Sequence, residues 1–137
     1  MMQNLKDLKQ EADTWFSRLV RLEACNHNGV CRCFVTGEEV DAKYIEAGHY
    51  ILRRHLKHRY NPINVHPQSV VSNRTEDGDH DTYRAALIKE YGLKVVQGLE
   101  SPSEPQKLTK IDYQEMIAGY KVRIKEILKD KGLEKWW

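Results

Sequence analysis

Between Lys43 and Arg84 the chain reads KYIEAGHYILRRHLKHRYNPINVHPQSVVSNRTEDGDHDTYR, and this stretch limits the fold more than any other. Residues 43–52 alternate. Ile45, Ala47, His49 and Ile51 fall on one side, and Tyr44, Glu46, Gly48 and Tyr50 on the other. His49 is therefore expected on the apolar, inward face of a strand. Residues 53–62 form a basic loop ending in Asn61-Pro62, and 63–68 form a second short strand stopped by Pro67. Residues 69–79 are polar and turn-like, with Asp77-Gly78 as the turn signal. A helix is expected from about Asp79 to Tyr91, with Tyr83, Ala86, Leu87 and Tyr91 on one side and Gly92 at its C-terminal cap. The order strand, loop, strand, turn, helix brings His49, Asn64 and Asn73 into one small unit.

The flanks are helical. In residues 3–24, Leu5, Leu8, Ala12, Phe16, Leu19 and Val20 recur at three- and four-residue spacing. Residues 25–41 are turn-rich, with a short hairpin expected around Cys31–Glu39. After a short helix at 93–100 and a proline-containing turn at 101–106, a long helix is expected over 110–130. Thr109 and Asp112 form its capping box. Tyr113, Met116, Ile117, Tyr120, Ile124, Ile127 and Leu128 form its stripe. The terminal Trp136-Trp137 is expected to pack on the body or on a partner chain. The fold class is thus α+β: a hairpin-plus-helix core at 25–92, flanked by an N-terminal helix (1–24) and a C-terminal helical extension (93–137), in a single domain 1–137.

Composition bounds the function. Charged residues are 31% and hydrophobic ones 40% of the 137 residues, as in a soluble globular chain. No apolar run spans a membrane and no signal peptide opens the chain, so a cytoplasmic location is expected. A net charge of +2 does not by itself imply nucleic acid. The distribution says more, because Arg53, Arg54, Lys57 and Arg59 cluster with His55 and His58, while Glu76, Asp77, Asp79 and Asp81 collect elsewhere. Three cysteines, Cys25, Cys31 and Cys33, argue against a disulfide framework. With His27 they also make a poor zinc signature, since structural zinc usually takes C-x2-C pairs.

Each residue type has an ordinary reading: a satisfied core histidine, a solvated basic surface, a turn asparagine. Together they suit phosphodiester hydrolysis, which needs a water made nucleophilic and a cation on the departing oxygen. A neutral histidine can take the water's proton near pH 7. A hard cation such as Mg²⁺ (or Mn²⁺) accepts an Asn carbonyl and keeps several waters, so one or two protein oxygens suffice. Basic residues between them can hold phosphates.

The blocks Cys33-Phe34-Val35-Thr36-Gly37, Ala47-Gly48-His49-Tyr50, Arg59-Tyr60, Asn64-Val65-His66, Ser69 to Arg74, Gly78 and Tyr83-Arg84 resemble the NinG/Rap family of lambdoid and related phages, within the HNH or ββα-metal superfamily. The resemblance covers nearly the whole chain; Ala47–Arg84 carries its specific part. It implies metal-dependent cleavage of branched recombination intermediates of the Holliday junction or D-loop type. By position, His49 is then the general base, Asn73 the metal ligand, and Asn64 the residue that orients the base or its loop. Arg53, Arg54, Lys57, Arg59 and Arg74 are then candidate phosphate contacts.

There are two departures. Many HNH sites place Asp directly before the base, where this chain has Gly48. Glu46, Asp77 and His80 stay open as the second ligand, with Glu46 expected on the face away from His49. The family's four zinc cysteines map to Cys33, Thr36, Ser69 and Ser72. Three hydroxyls are poor ligands near neutral pH, so structural zinc is expected to be absent. A DNA-binding module that has lost catalysis and a plain helical interaction protein are the other readings. Two cuts related by a two-fold axis suggest a homodimer, expected to form through the stripes of the two long helices.

Overall fold

The computed structural model describes residues 3–75 and 77–135. Trp136-Trp137 and Glu76 lie outside the described residues. Six helices and four strands follow the order α1 (Leu5–Ala24), β1 (Val30–Arg32), β2 (Glu39–Asp41), β3 (Glu46–His49), α2 (Leu56–Arg59), β4 (Val65–Gln68), α3 (Val70–Asn73), α4 (His80–Tyr91), α5 (Leu93–Glu100) and α6 (Lys110–Lys131). The mixed α+β class is as expected. Among the described residues no helix is long and apolar enough to cross a membrane.

The long helices start and stop on local chemistry. The Asn4 side chain accepts from the Asp7 N–H at 2.8 Å, and Thr109 with Asp112 closes the expected capping box. At the other end of α1, Lys131 Nζ donates to the carbonyls of Leu22 (2.7 Å), Glu23 (3.1 Å) and Cys25 (2.6 Å). One cation therefore caps acceptors at the C-terminus of α1, where a positive charge is favoured. This tie holds α1 and α6 side by side. Leu8, Ala12, Tyr113 and Ile117 are buried together, as are Leu22, Ile124, Ile127 and Leu133 with the three cysteines. Apart from the exposed Leu5, the two stripes expected to form a homodimer thus pack within one chain.

The antiparallel hairpins are separate. In β1–β2, Cys31 pairs with Val40; in β3–β4, Gly48 pairs with His66 and His49 with Val65. The β3–β4 hairpin is covered on both faces, which corrects the one-sided alternation expected for 43–52. On one face, Ala47 and Val65 pack with Phe16 and Val20 of α1. On the other, Tyr50 is buried with Tyr83 and Leu87 of α4 and with Val96 and Leu99 of α5. Pro67 lies inside β4 rather than ending it. Its carbonyl accepts from Phe34 N at 2.8 Å, on the side away from β3. Its missing N–H falls on that same side, so no ladder bond is lost.

Two further segments differ from expectation. The basic loop contains the single-turn α2, and the polar turn contains the single-turn α3. Asn73 therefore ends α3, ahead of the turn that leads into α4. His58 is buried rather than part of the basic surface, and burial lowers its pKa.

Candidate active site

Two adjoining hollows, of about 420 and 530 Å³, share His49 and Asn73 in their walls. The first is lined also by Asp13, Ser17 and Arg21 of α1, by Glu46, and by Arg53. The second is lined by Tyr50, Leu52, His55, Asp77 and His80, among others. His49, from the end of β3, and Asn73, from the end of α3, are thus brought to one cleft.

The His49 ring is held through one nitrogen. Nε2 lies 2.8 Å from the Arg59 carbonyl oxygen. A carbonyl only accepts, so Nε2 carries the proton in the neutral ring and Nδ1 is its basic nitrogen. Burial lowers the His49 pKa and so favours that neutral form; the Arg59 carbonyl bond opposes it, and the Arg53 and Arg59 charges reinforce it.

Two residues hold the loop that carries this carbonyl. Asn64 has no exposed surface. Its Oδ1 accepts from Ile51 N at 2.8 Å, and its Nδ2 donates to the carbonyls of Ile51 (3.1 Å) and His58 (3.0 Å). One amide thereby ties both limbs of the 51–63 loop. Asp13 ties the same loop from α1. It accepts from Arg59 Nε at 2.9 Å and from Arg59 Nη2, from Arg53 Nη2 at 2.8 Å, and from the Tyr60 hydroxyl at 2.8 Å. Burial alone would raise the Asp13 pKa, but the Arg59 and Tyr60 bonds outweigh it and hold the carboxyl below its ordinary range.

Asn73 is oriented too. Its Nδ2 donates to Glu46 Oε1 at 3.2 Å, leaving Oδ1 as its acceptor. Arg74 forks onto the same carboxylate, Nε to Oε1 at 3.2 Å and Nη2 to Oε2 at 2.6 Å. These bonds keep the Glu46 pKa below the usual carboxylate value. Glu46 lines the first hollow with His49 instead of pointing to the opposite side, because it opens a four-residue strand and reaches round to Asn73 and Arg74.

Gly48 has a steric cause. A Cβ built there would stand 1.9 Å from Gln68 Oε1. The Gln68 amide crosses that space to donate to Ser72 Oγ at 2.9 Å and to the Gly78 carbonyl at 2.8 Å. A side chain before His49 would require Gln68 to give up this place. Asp77 and His80 line the second hollow and are exposed, with His80 stacked on Tyr50 at 4.5 Å.

The basic residues separate into two kinds. The Arg59 side chain is 11% exposed and engaged by Asp13, so it belongs to the scaffold. Arg53 pairs with Asp13 but is 55% exposed. Arg54 and Lys57 are exposed. His66 is half-buried among aromatic rings: it stacks on Phe34 at 4.0 Å, its Nε2 lies 2.7 Å from the Tyr91 hydroxyl, and burial lowers its pKa to about 4.

Positions 33, 36, 69 and 72 also converge. Cys33 Sγ accepts from Thr36 N at 3.4 Å and Ser69 N at 3.2 Å, and Ser69 Oγ accepts from Ser72 N at 3.3 Å. Cys25, His27, Cys31 and Cys33, a poor zinc signature in the sequence, do not assemble: the cysteines are buried and His27 is exposed. Among the described residues no group of three or more His, Cys, Asp or Glu side chains is arranged to hold a metal.

Sequence reasoning did not find Asp13, Gln68 or the Tyr83 hydroxyl, which donates to the Gly48 carbonyl at 2.7 Å. A carboxylate beside the apolar stripe of an amphipathic helix carries no local signal of a distant partner. A family model described as Bacteriophage Lambda NinG protein matches residues 1–130. No curated protein and no solved structure matches the chain.

Proposed function

This chain belongs to the NinG family of bacteriophage recombination-related proteins, and from that premise we propose that it is a metal-dependent DNA endonuclease acting on branched recombination intermediates. The observation that carries the reading is the meeting of His49 and Asn73 in one cleft, with His49 held through Nε2 and Asn73 through Nδ2. In this reading Nδ1 of His49 accepts the proton of the attacking water. Asn64 keeps the loop carbonyls in register and so orients the base. Arg53, Arg54, Lys57 and Arg74 contact phosphates of the strand entering the cleft.

The donors of the cleft fit a hard divalent cation, Mg²⁺ or Mn²⁺. Asn73 Oδ1 is an oxygen ligand, and Glu46, Asp77 and His80 remain candidates for a second. Few protein ligands are needed, because such a cation retains several waters. When bound, it would stabilise the charge on the departing oxygen. The set at 33, 36, 69 and 72 does not fit zinc, since it offers one thiol and three hydroxyls. Elemental analysis of purified protein should therefore show no stoichiometric zinc; one zinc per chain would overturn that assignment.

A homodimer remains part of the proposal only if its interface lies outside the paired stripes of α1 and α6. The deciding experiment is incubation with a four-way junction and Mg²⁺, run beside His49→Ala. Cleavage by the wild-type chain and not by the variant is expected. Binding without cleavage by either would favour a DNA-binding module.

A further inference from the structure

Asp13 lies on α1, outside the strand–strand–helix unit that contains His49, Asn64 and Asn73. It is nevertheless one wall of the hollow that His49 lines. Its carboxylate accepts from three side chains of the 53–60 segment, and its strongest partner, Arg59, also donates through Nη1 to the Arg53 carbonyl at 2.9 Å. The Arg59 carbonyl is the atom that holds His49 Nε2. Side-chain anchor, backbone carbonyl and imidazole thus form one continuous series.

We propose that Asp13 is a positioning residue for His49, anchoring Arg59 so that the Arg59 carbonyl keeps Nε2 protonated and leaves Nδ1 as the basic nitrogen. This rests on the reading of His49 as the base, but its geometric part stands apart from activity. The Asn64 amide holds the neighbouring His58 carbonyl from within the core unit. Without Asp13 the Arg59 guanidinium would lose the acceptor of its Nε and Nη2 and keep only the Nη1 bond to the Arg53 carbonyl. Its peptide would then be free to rotate away from the ring, and the imidazole would take up both tautomers.

The test is ¹⁵N NMR of the histidine rings above pH 7, with the His49 signals assigned by their loss in His49→Gln. The wild-type chain should show a single Nε2–H tautomer at His49. Asp13→Asn, which keeps the shape and removes the charge, should show a mixture of tautomers. Asp13→Glu, which restores the carboxylate, should recover the single form. In junction cleavage, Asp13→Asn should lower kcat on the order of tenfold with KM for DNA unchanged. A staple that served stability alone would lower the melting temperature and leave the tautomer intact, so a pure Nε2–H form in Asp13→Asn overturns the proposal. Should Asp13→Asn fail to fold, Arg59→Lys keeps the charge but loses the fork and is read by the same spectrum. If the wild-type chain does not cleave, the proposed function fails while the tautomer measurement still decides the role of Asp13.

Discussion

The two hollows that meet at His49 and Asn73 are built differently. On the α1 side, the Asp13 side chain is 17% exposed and takes bonds from Arg53, Arg59 and Tyr60, and Asn64 behind it makes three bonds with no exposed surface. On the side of the acidic turn, Asp77 and His80 are exposed; Asp77 Oδ1 accepts from Asp79 N, at 3.0 Å, and His80 stacks on Tyr50. The difference follows what each side would have to do. Proton transfer needs one tautomer in one orientation, which costs least when the scaffold is already rigid. A hydrated hard cation needs open volume and few fixed ligands. Under the proposed function, the rigid wall serves to fix the base and the open one gives room for a hydrated cation.

Four measurements would break or sharpen that contrast. The largest effect is expected in cleavage. His49→Ala should lose at least ~10²-fold while still binding DNA. Asn73→Ala should lose activity that raised Mg²⁺ partly restores. Full activity in His49→Ala would remove the base from the rigid wall, and restoration of His49→Ala by added metal would erase the distinction between the walls.

Stability comes next. Asn64→Ala strands the Ile51 N–H and the carbonyls of Ile51 and His58, at about 1–3 kcal/mol for each group left unsatisfied in the interior. A loss of about 3 kcal/mol or more in urea unfolding is expected. Asp77→Ala and His80→Ala should each stay within about 0.5 kcal/mol of the parent. Equal losses on both sides would refute the contrast.

The third measurement is pH. Burial lowers the pKa of both His49 and His66 from the ordinary 6.5, His66 to about 4. The unfolded chain then binds more protons than the folded one across that interval, so stability should fall as pH drops from 6.5 toward 4. His66→Gln should flatten this slope. A slope of opposite sign in the parent would mean that these rings are charged in the folded chain.

The smallest effects are expected at the surface. Arg54→Ala or Lys57→Ala should reduce the salt dependence of DNA binding by about one phosphate, similarly for all sequences. Arg59→Ala should instead lower stability, since Arg59 is held by Asp13. A sequence-selective loss at Arg54 would mean that the loop reads bases.

Local pattern alone determined the two long helices, the Thr109–Asp112 capping box, the hairpin near Cys31 and the helix after the acidic turn. Each of these depends on residues a few positions apart, where periodicity and caps act directly. Tertiary structure decided the rest. The alternation around His49 could not reveal that α4 covers the second face of the hairpin, because Tyr83 and Leu87 are over thirty residues away in the chain. The stripes of α1 and α6 look equally ready for a partner chain or for each other, and only the packed chain pairs them. In the sequence Gly48 stands only as a missing ligand, whereas in the fold Gln68 fills the space of its Cβ. The basic loop read as one surface, yet Arg59 turns inward, because a carboxylate 46 residues earlier is brought within hydrogen-bond reach of its guanidinium. An ion pair across that separation leaves no trace in local spacing, since its partners become neighbours only after the apolar faces between them have packed.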